Sequence, residues 1–258
     1  METSPALRIR SLKKAYYSKV VLNNIDLEIE PGQIIGYIGP NGAGKSTTLR
    51  ILGGLDFAFD GEVEVLGMDV KKNPLEVKAR IGFLPEQAAL YEQLTPIEFY
   101  ELVGGLHKLP WAKVESRARQ LENYLQLSYN RNQRMETFSK GMRQKVLLTS
   151  TLLHDPDLIL LDEPLDGLDA NTVIRVKNLL GQLAEEGKTI FYSSHIMDVV
   201  ERISHRIILL NGGHIVANGS FAELQRKAKQ GNLESLFAEL TGGVTDSSLP
   251  RFQLDRDE

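Results

Sequence analysis

At 258 residues the chain can form one large domain, or a domain that carries an inserted subdomain. Its 42% hydrophobic and 25% charged residues are ordinary for a globular protein with a sizeable core. A net charge of −4, from 30 basic and 34 acidic residues, supplies no global positive field for nucleic acid, and zero cysteines exclude disulfides, thiolate metal sites and a cysteine nucleophile. No apolar stretch approaches the roughly 18 residues that span a bilayer, and METSPALRIRSLKK has no apolar core like a signal peptide's. By itself the chain is expected to be cytosolic.

In chain order, LRIRSL (7–12) and IDLEIE (25–30) alternate apolar with polar residues, as half-exposed antiparallel strands do, and GEVEVLG (61–67) repeats the pattern. QIIGYIG (33–39) is nearly all apolar, as a parallel strand buried on both faces should be. Directly behind it stands GPNGAGKST (39–47), with Gly39-x-x-x-x-Gly44-Lys45-Ser46 at P-loop spacing and a helical pattern at 45–54. Glycine lets backbone N–H groups approach a polyphosphate closely and at unusual φ. In such a loop the lysine reaches the β/γ-phosphates and the serine hydroxyl ligates Mg²⁺. Nucleotide binding follows; what the nucleotide is for stays open at this point.

ARIGFLP (79–85) reads as another strand, and helical patterns follow at 95–106, 111–127 and 140–154. In the second, Trp111, Val114, Ala118, Leu121 and Leu125 form one apolar stripe, read as core packing. DLILLD (157–162) and TIFYSS (189–194) are buried strands, with helices at 170–187 and 196–204, and RIILLNGGHIVANG (206–219) is a further β run. After about residue 220 the pattern fades into two helix-like pieces and a polar end expected to be mobile. This predicts an α/β fold: a mostly parallel sheet core, an N-terminal antiparallel β region, and a helical subdomain inserted at about 86–150. The nucleotide-binding domain is placed at 1–220 and a C-terminal tail at 221–258.

DLILLDEP supplies what a P-loop needs. Asp162 fits the position whose carboxylate orders the metal's water shell, and Glu163 follows at the strand's C-terminal edge, where open α/β sheets place ligands. SSH (193–195) ends another apolar strand, and beside Asp162 in a parallel sheet it would put His195 near the γ-phosphate. In ETFSKGMRQKVLLTSTLL (136–153), Ser139 and Gly141 open a helix whose free N–H groups form an anion site. Two phosphate-binding helix starts but a single lysine-bearing loop make sense if the second start of one molecule faces the P-loop of another.

Together these motifs resemble the ATP-binding subunits of ABC transporters, over about residues 7–220 and in the family's order. GPNGAGKST is similar to its Walker A, so Gly39, Pro40, Asn41, Gly42, Ala43, Gly44, Lys45, Ser46 and Thr47 would hold ATP. FSKGMRQ resembles the signature motif, LILLDEP the Walker B, DGLD (166–169) the D-loop with Asp169, and SSH the H-loop. Tyr16 matches the aromatic that stacks on adenine, with Tyr17 as its neighbour and alternative. Two departures stand out. The signature reads Phe138-Ser139-Lys140-Gly141-Met142 rather than Leu-Ser-Gly-Gly-Gln, a form resembling the branch with separate, often exporting, permeases. The Q-loop position falls on Glu86 or Gln87, and Glu86 could still offer Mg²⁺ an oxygen.

The resemblance implies an ATPase of the P-loop NTPase class. Glu163 and His195 would be catalytic, Mg²⁺ would lie on Ser46, Asp162 and Glu86 or Gln87, and ATP would be sandwiched between two cassettes, identical or not. The partner would be an integral-membrane permease, most readily an exporter, that holds the chain on the cytoplasmic face; no nucleic acid is expected. A rival reading, a soluble ABC-type ATPase acting on ribosomes or DNA, fits less well. Such proteins usually carry two cassettes or long coiled-coil insertions, and this chain has one cassette and neither extension.

Overall fold

Alternating runs and unbroken apolar runs end up in two different sheets. The structure is a computed structural model that describes residues 4–86, 90–195, 197–227, 236–238 and 240. Strands β1 (Leu7–Tyr16), β2 (Lys19–Ile29), β4 (Asp60–Val65) and β5 (Met68–Asp69) form an antiparallel sheet in the order β2-β1-β4-β5. β3 (Ile34–Ile38), β6 (Ile81–Leu84), β7 (Leu158–Asp162), β8 (Thr189–Ser193), β9 (Arg206–Asn211) and β10 (His214–Gly219) form the second sheet, ordered β10-β9-β3-β8-β7-β6. All its pairings are parallel except β9 with β10. Every residue of β3, β7 and β8 is buried, as strands covered on both faces require.

Three apolar clusters hold these layers. The first joins the antiparallel sheet to one face of the parallel sheet, with Leu7, Ile9 and Leu12 of β1 against Ile35 and Tyr37 of β3 and Leu49 of α1 (Lys45–Leu52). The second covers the opposite face with α6 (Ala170–Glu185) and α7 (Met197–Ile203), through Val176, Leu180 and Val200. It also takes in Leu224 of α8 (Phe221–Lys227) and Leu236. The third lies inside a helical block of α3 (Pro96–Leu106), α4 (Trp111–Tyr124) and α5 (Lys140–Leu152), built on Tyr100, Val114, Ala118 and Val146. α5 belongs to both helical block and core, because Leu148 and Leu152 face the second cluster while Val146 faces the third. The block therefore enters the chain between β6 and β7, two neighbours in the sheet, without breaking their pairing.

The structure differs from the sequence expectation in a few places. β2 starts at Lys19 rather than Ile25, because the β1–β2 ladder absorbs register shifts and left-handed residues at Ser11 (φ 49°) and Asn24 (φ 55°). A short helix, α2 (Pro74–Arg80), was not expected; it buries only Val77 and so leaves no periodic signal. α4 ends at Tyr124 because Gln126 turns left-handed (φ 57°). In its stripe Val114, Ala118 and Leu125 are buried, whereas Trp111 remains 39% exposed.

Candidate active site

The loop after β3 and the start of α1 make an anion cradle. Gly44 caps α1 at φ 112°, and a Cβ there would lie 2.6 Å from the Leu22 side chain, so conformation and space both demand glycine. No side chain caps this helix start and no acid sits in its first turn, which leaves the N–H groups and the positive end of the dipole for a ligand. Lys45 is buried, and its ammonium donates to the carbonyl of Gly39 at 2.8 Å and to that of Pro40 at 3.4 Å. A cleft of about 760 Å³ opens over this loop. It is lined by Tyr16, Tyr17 and Lys19, by Lys45, Ser46 and Thr47 of the loop and helix start, and by Glu86, Asp162 and Glu163.

Asp162 and Glu163 are set by the pairing of β7 with β8, in which Asp162 lies opposite Ser193. The Ser193 hydroxyl donates to Asp162 Oδ1 at 2.5 Å and accepts the Glu163 N–H at 3.1 Å. Glu163 itself is left-handed, at φ 51°, an unfavourable conformation for a glutamate and one that clusters at functional sites. There its carboxylate accepts the His195 N–H at 3.3 Å and meets His195 Nδ1 at 2.8 Å. Ser193 is the residue that sequence reasoning left without a role, although it stands inside the SSH motif.

The start of α5 lies elsewhere. Ser139 Oγ accepts the Met142 N–H at 3.3 Å as an ordinary N-cap. A Cβ on Gly141 would come within 2.6 Å of the Gly167 carbonyl, so glycine here lets the 166–169 loop lie against the helix start. Lys140 bridges to Asp166 at 2.6 Å and holds that carboxyl below its usual range, and Gln144 donates to the Pro164 carbonyl at 3.1 Å. Asp169 caps α6, accepting the Thr172 hydroxyl at 2.6 Å and the Thr172 N–H at 3.0 Å; these two bonds keep it below the ordinary carboxylate range. Ser139, Gly141, Asp169 and His195 do not line the cleft over the P-loop.

Residues 22–166 match the family model described as ABC transporter. The chain is 36% identical over 226 residues to ABC transporter ATP-binding protein NatA of Bacillus subtilis (87% of this chain, 92% of that one). This chain is an ABC transporter ATP-binding subunit. The subunit is also 33% identical over 218 residues to Nod factor export ATP-binding protein I of Cupriavidus metallidurans, covering 84% of this chain and 72% of that one. Its fold resembles a dimeric post-hydrolysis state of an ATP-binding cassette bound to ADP and Pi, with TM-score 0.78 and 28% identity over 83% of this chain and 98% of that one. It is an ABC cassette ATPase with the P-loop fold and antiparallel N-terminal sheet expected of it.

In this ATP-binding subunit the donors available to Mg²⁺ are oxygens around the cleft. Among the described residues no group of three or more His, Cys, Asp or Glu could hold a metal by itself. Ser46, Glu86 and Asp162 instead offer separate oxygens around the cleft. That arrangement fits a cation that uses one or two carboxylates, keeps water, and draws its remaining ligands from phosphates. Gln87 lies outside the described residues.

Proposed function

We propose that this cassette energises export through a separate integral-membrane permease, working as a pair that closes on ATP. The observation that carries the reading is the separation of the two phosphate-binding helix starts. Ser139 and Gly141 open α5 away from the cleft that holds Lys45, so a nucleotide in that cleft needs the second start from another cassette. The dimeric neighbour and the relative named for Nod factor export support pairing and direction respectively.

In this reading the N–H groups of residues 39–47 cradle the phosphates, and Lys45 exchanges the Gly39 and Pro40 carbonyls for phosphate oxygens. The Tyr16 ring stacks on the base. Ser46, Asp162 and Glu86 or Gln87 would hold Mg²⁺, which supplies charge neutralisation at the phosphates. Glu163 accepts a proton from the attacking water. His195 fixes that carboxylate through Nδ1 and faces the γ-phosphate once the site closes. Asp169 sits where the 166–169 loop meets the partner cassette. Residues 1–220 form the nucleotide-binding domain, with 86–150 as its helical part and 221–258 as an appended tail.

No helix among the described residues is long and apolar enough to cross a membrane. In this reading the permease holds the chain at the cytoplasmic face, through the segment after Glu86, where Tyr91 stands 60% exposed while Phe99 and Tyr100 are buried. Affinity purification from detergent-solubilised native membranes tests the reading. An integral-membrane protein should co-purify, and Tyr91→Ala should release it or uncouple hydrolysis from transport with ATP binding intact. Recovery of the chain on ribosomes or DNA instead, with no membrane protein, would replace this reading with its rival.

A further inference from the structure

Tyr16 and Tyr17 are adjacent, both border the cleft, and they are held in entirely different ways. Tyr17 occupies a turn at φ 53° and is fully exposed. Tyr16 ends β1 and is gripped at two points. Its hydroxyl donates to Asp56 Oδ2 at 3.0 Å, and the Lys14 ammonium lies 4.6 Å from its ring centroid, over one face. Lys14 is only 4% exposed, two residues earlier on β1 and thus on the same side of the strand. It donates to Asp56 Oδ1 and to the Ala58 carbonyl, both at 2.7 Å, while the Ala58 N–H returns a bond to Asp56 Oδ1 at 3.0 Å.

We propose that Lys14 and Asp56 are positioning residues for nucleotide binding, a clamp that fixes the Tyr16 ring as the wall on which the base stacks. The inference rests on the assignment of Tyr16 as that wall and adds what makes it rigid. A surface tyrosine loses rotamer entropy when a ligand stacks on it; a ring already tied at its hydroxyl and backed by a cation has lost it beforehand. With the ammonium on one face, the opposite face is left for the base. Asp56 joins all the parts. Burial would push its carboxyl up, but Lys14, the Ala58 N–H and the Tyr16 hydroxyl together hold it below the ordinary range, so it stays an acceptor. The clamp connects β1 to the stretch between α1 and β4, so the base wall and the phosphate helix are tied through the same few residues.

The test is ATPase kinetics of the full chain with ATP and with ribose 5-triphosphate, which has the phosphates and sugar but no base. Tyr16→Phe removes only the hydroxyl tether on a partly exposed ring, and Asp56→Asn weakens the junction; the first keeps the test interpretable if the second folds poorly. Both should raise KM for ATP about 3- to 10-fold, with the effect on KM rather than kcat and with KM for ribose 5-triphosphate unmoved. Tyr16→Ala should bring KM for ATP close to that for the base-free substrate. If Tyr16→Ala has that effect but Tyr16→Phe and Asp56→Asn behave as wild type, the clamp is overturned and the wall stands. If Tyr17→Ala shifts the ratio between the two substrates and Tyr16→Ala does not, the wall assignment fails and the clamp with it. Equal rises for both substrates would make Asp56 merely structural and also overturn the proposal.

Discussion

Glu163 Oε2 lies 2.8 Å from His195 Nδ1, a pair formed across the C-terminal ends of two neighbouring parallel strands. The two residues are 32 apart in the chain and meet only through strand pairing. The β7–β8 register and the left-handed backbone at Glu163 bring them together. Glu163→Gln keeps the shape but cannot accept a proton, so turnover should fall by roughly 10²–10⁴-fold with ATP binding retained. His195→Ala should lower kcat more than it alters ATP affinity, because it frees the carboxylate rather than the phosphates. Lys45→Ala should show the opposite split, with weakened binding. Steady-state ATPase rates beside equilibrium nucleotide binding separate the three; wild-type turnover in Glu163→Gln would remove it from the catalytic role.

That the α5 start does not line the P-loop cleft sets a second expectation. ATP should act as glue between two cassettes, most visibly when hydrolysis is blocked. Glu163→Gln should be monomeric without nucleotide and dimeric in light scattering with ATP and Mg²⁺. Ser139→Arg puts bulk at the helix start without touching its own P-loop, so mixed with Glu163→Gln it should spoil only the opposing site. A mixed dimer with both sites equally competent would contradict a contribution from the opposing cassette.

The strands and the phosphate loop were legible because local pattern alone dictates them. Ile34–Ile38, Leu158–Asp162 and Thr189–Ser193 are buried on both faces and therefore read as continuous apolar runs. What was illegible depends on residues far apart in the chain. Ser193 gains its role by lying opposite Asp162, and Lys14 by meeting Asp56, pairings that no local window contains. Among the apolar residues after Gln87, nothing in the sequence separates buried Phe99 and Tyr100 from exposed Tyr91; the α3 helix does so, after Thr95 caps it with a reciprocal bond to Glu98. Glu122 makes the same point in reverse. Its charge marks it as a surface position of α4, yet it is fully buried beside Arg131.

That buried pair carries a stability prediction. Arg131 holds Glu115 through two bonds, at 3.0 and 2.8 Å, and its Nε lies 3.1 Å from Glu122 Oε2. Burial pushes the Glu122 carboxyl up and Arg131 pulls it back, with the net shift upward. Arg131→Met would leave the Glu122 charge uncompensated and should cost about 3–5 kcal/mol at neutral pH. Because the folded-state pKa of Glu122 is raised, its penalty grows as pH rises and is relieved as pH falls and the carboxyl protonates. The deficit of Arg131→Met relative to wild type should therefore shrink between pH 7.5 and 5.5 in urea unfolding. Adding Glu122→Gln should recover much of it at pH 7.5. A deficit independent of both pH and Glu122 would trace the loss to Glu115 alone.

His107 and His154 provide the clearest pH dependence. Their rings stack with centroids 3.8 Å apart, in a groove bordered by Phe83 of β6 and by Phe99 and Val103 of α3, where the helical block meets the core. His154 Nε2 lies 2.8 Å from the Ile81 carbonyl, and its buried Nδ1 has no hydrogen-bond partner. Burial first, and then the neighbouring His107, push His154 down to about 4, and burial also lowers His107. An unfolded histidine takes up its proton near 6.5 and folded His154 only near 4, so in that window the unfolded state binds more protons. Stability should then be complete above about pH 6.5 and fall progressively toward pH 4. Discounted for its partial exposure, the loss from His154 should be on the order of 1–2 kcal/mol. His154→Gln keeps a donor for the Ile81 carbonyl but cannot titrate, so it should give a flatter stability curve over this range even if it is less stable at pH 7. Chemical unfolding of both proteins at half-unit steps from pH 7.5 to 4.5 makes the comparison, in which carboxylate protonation is common to the two. Parallel curves would mean that the stacked pair does not resist protonation, and that the groove between block and core tolerates a charge its apolar lining argues against.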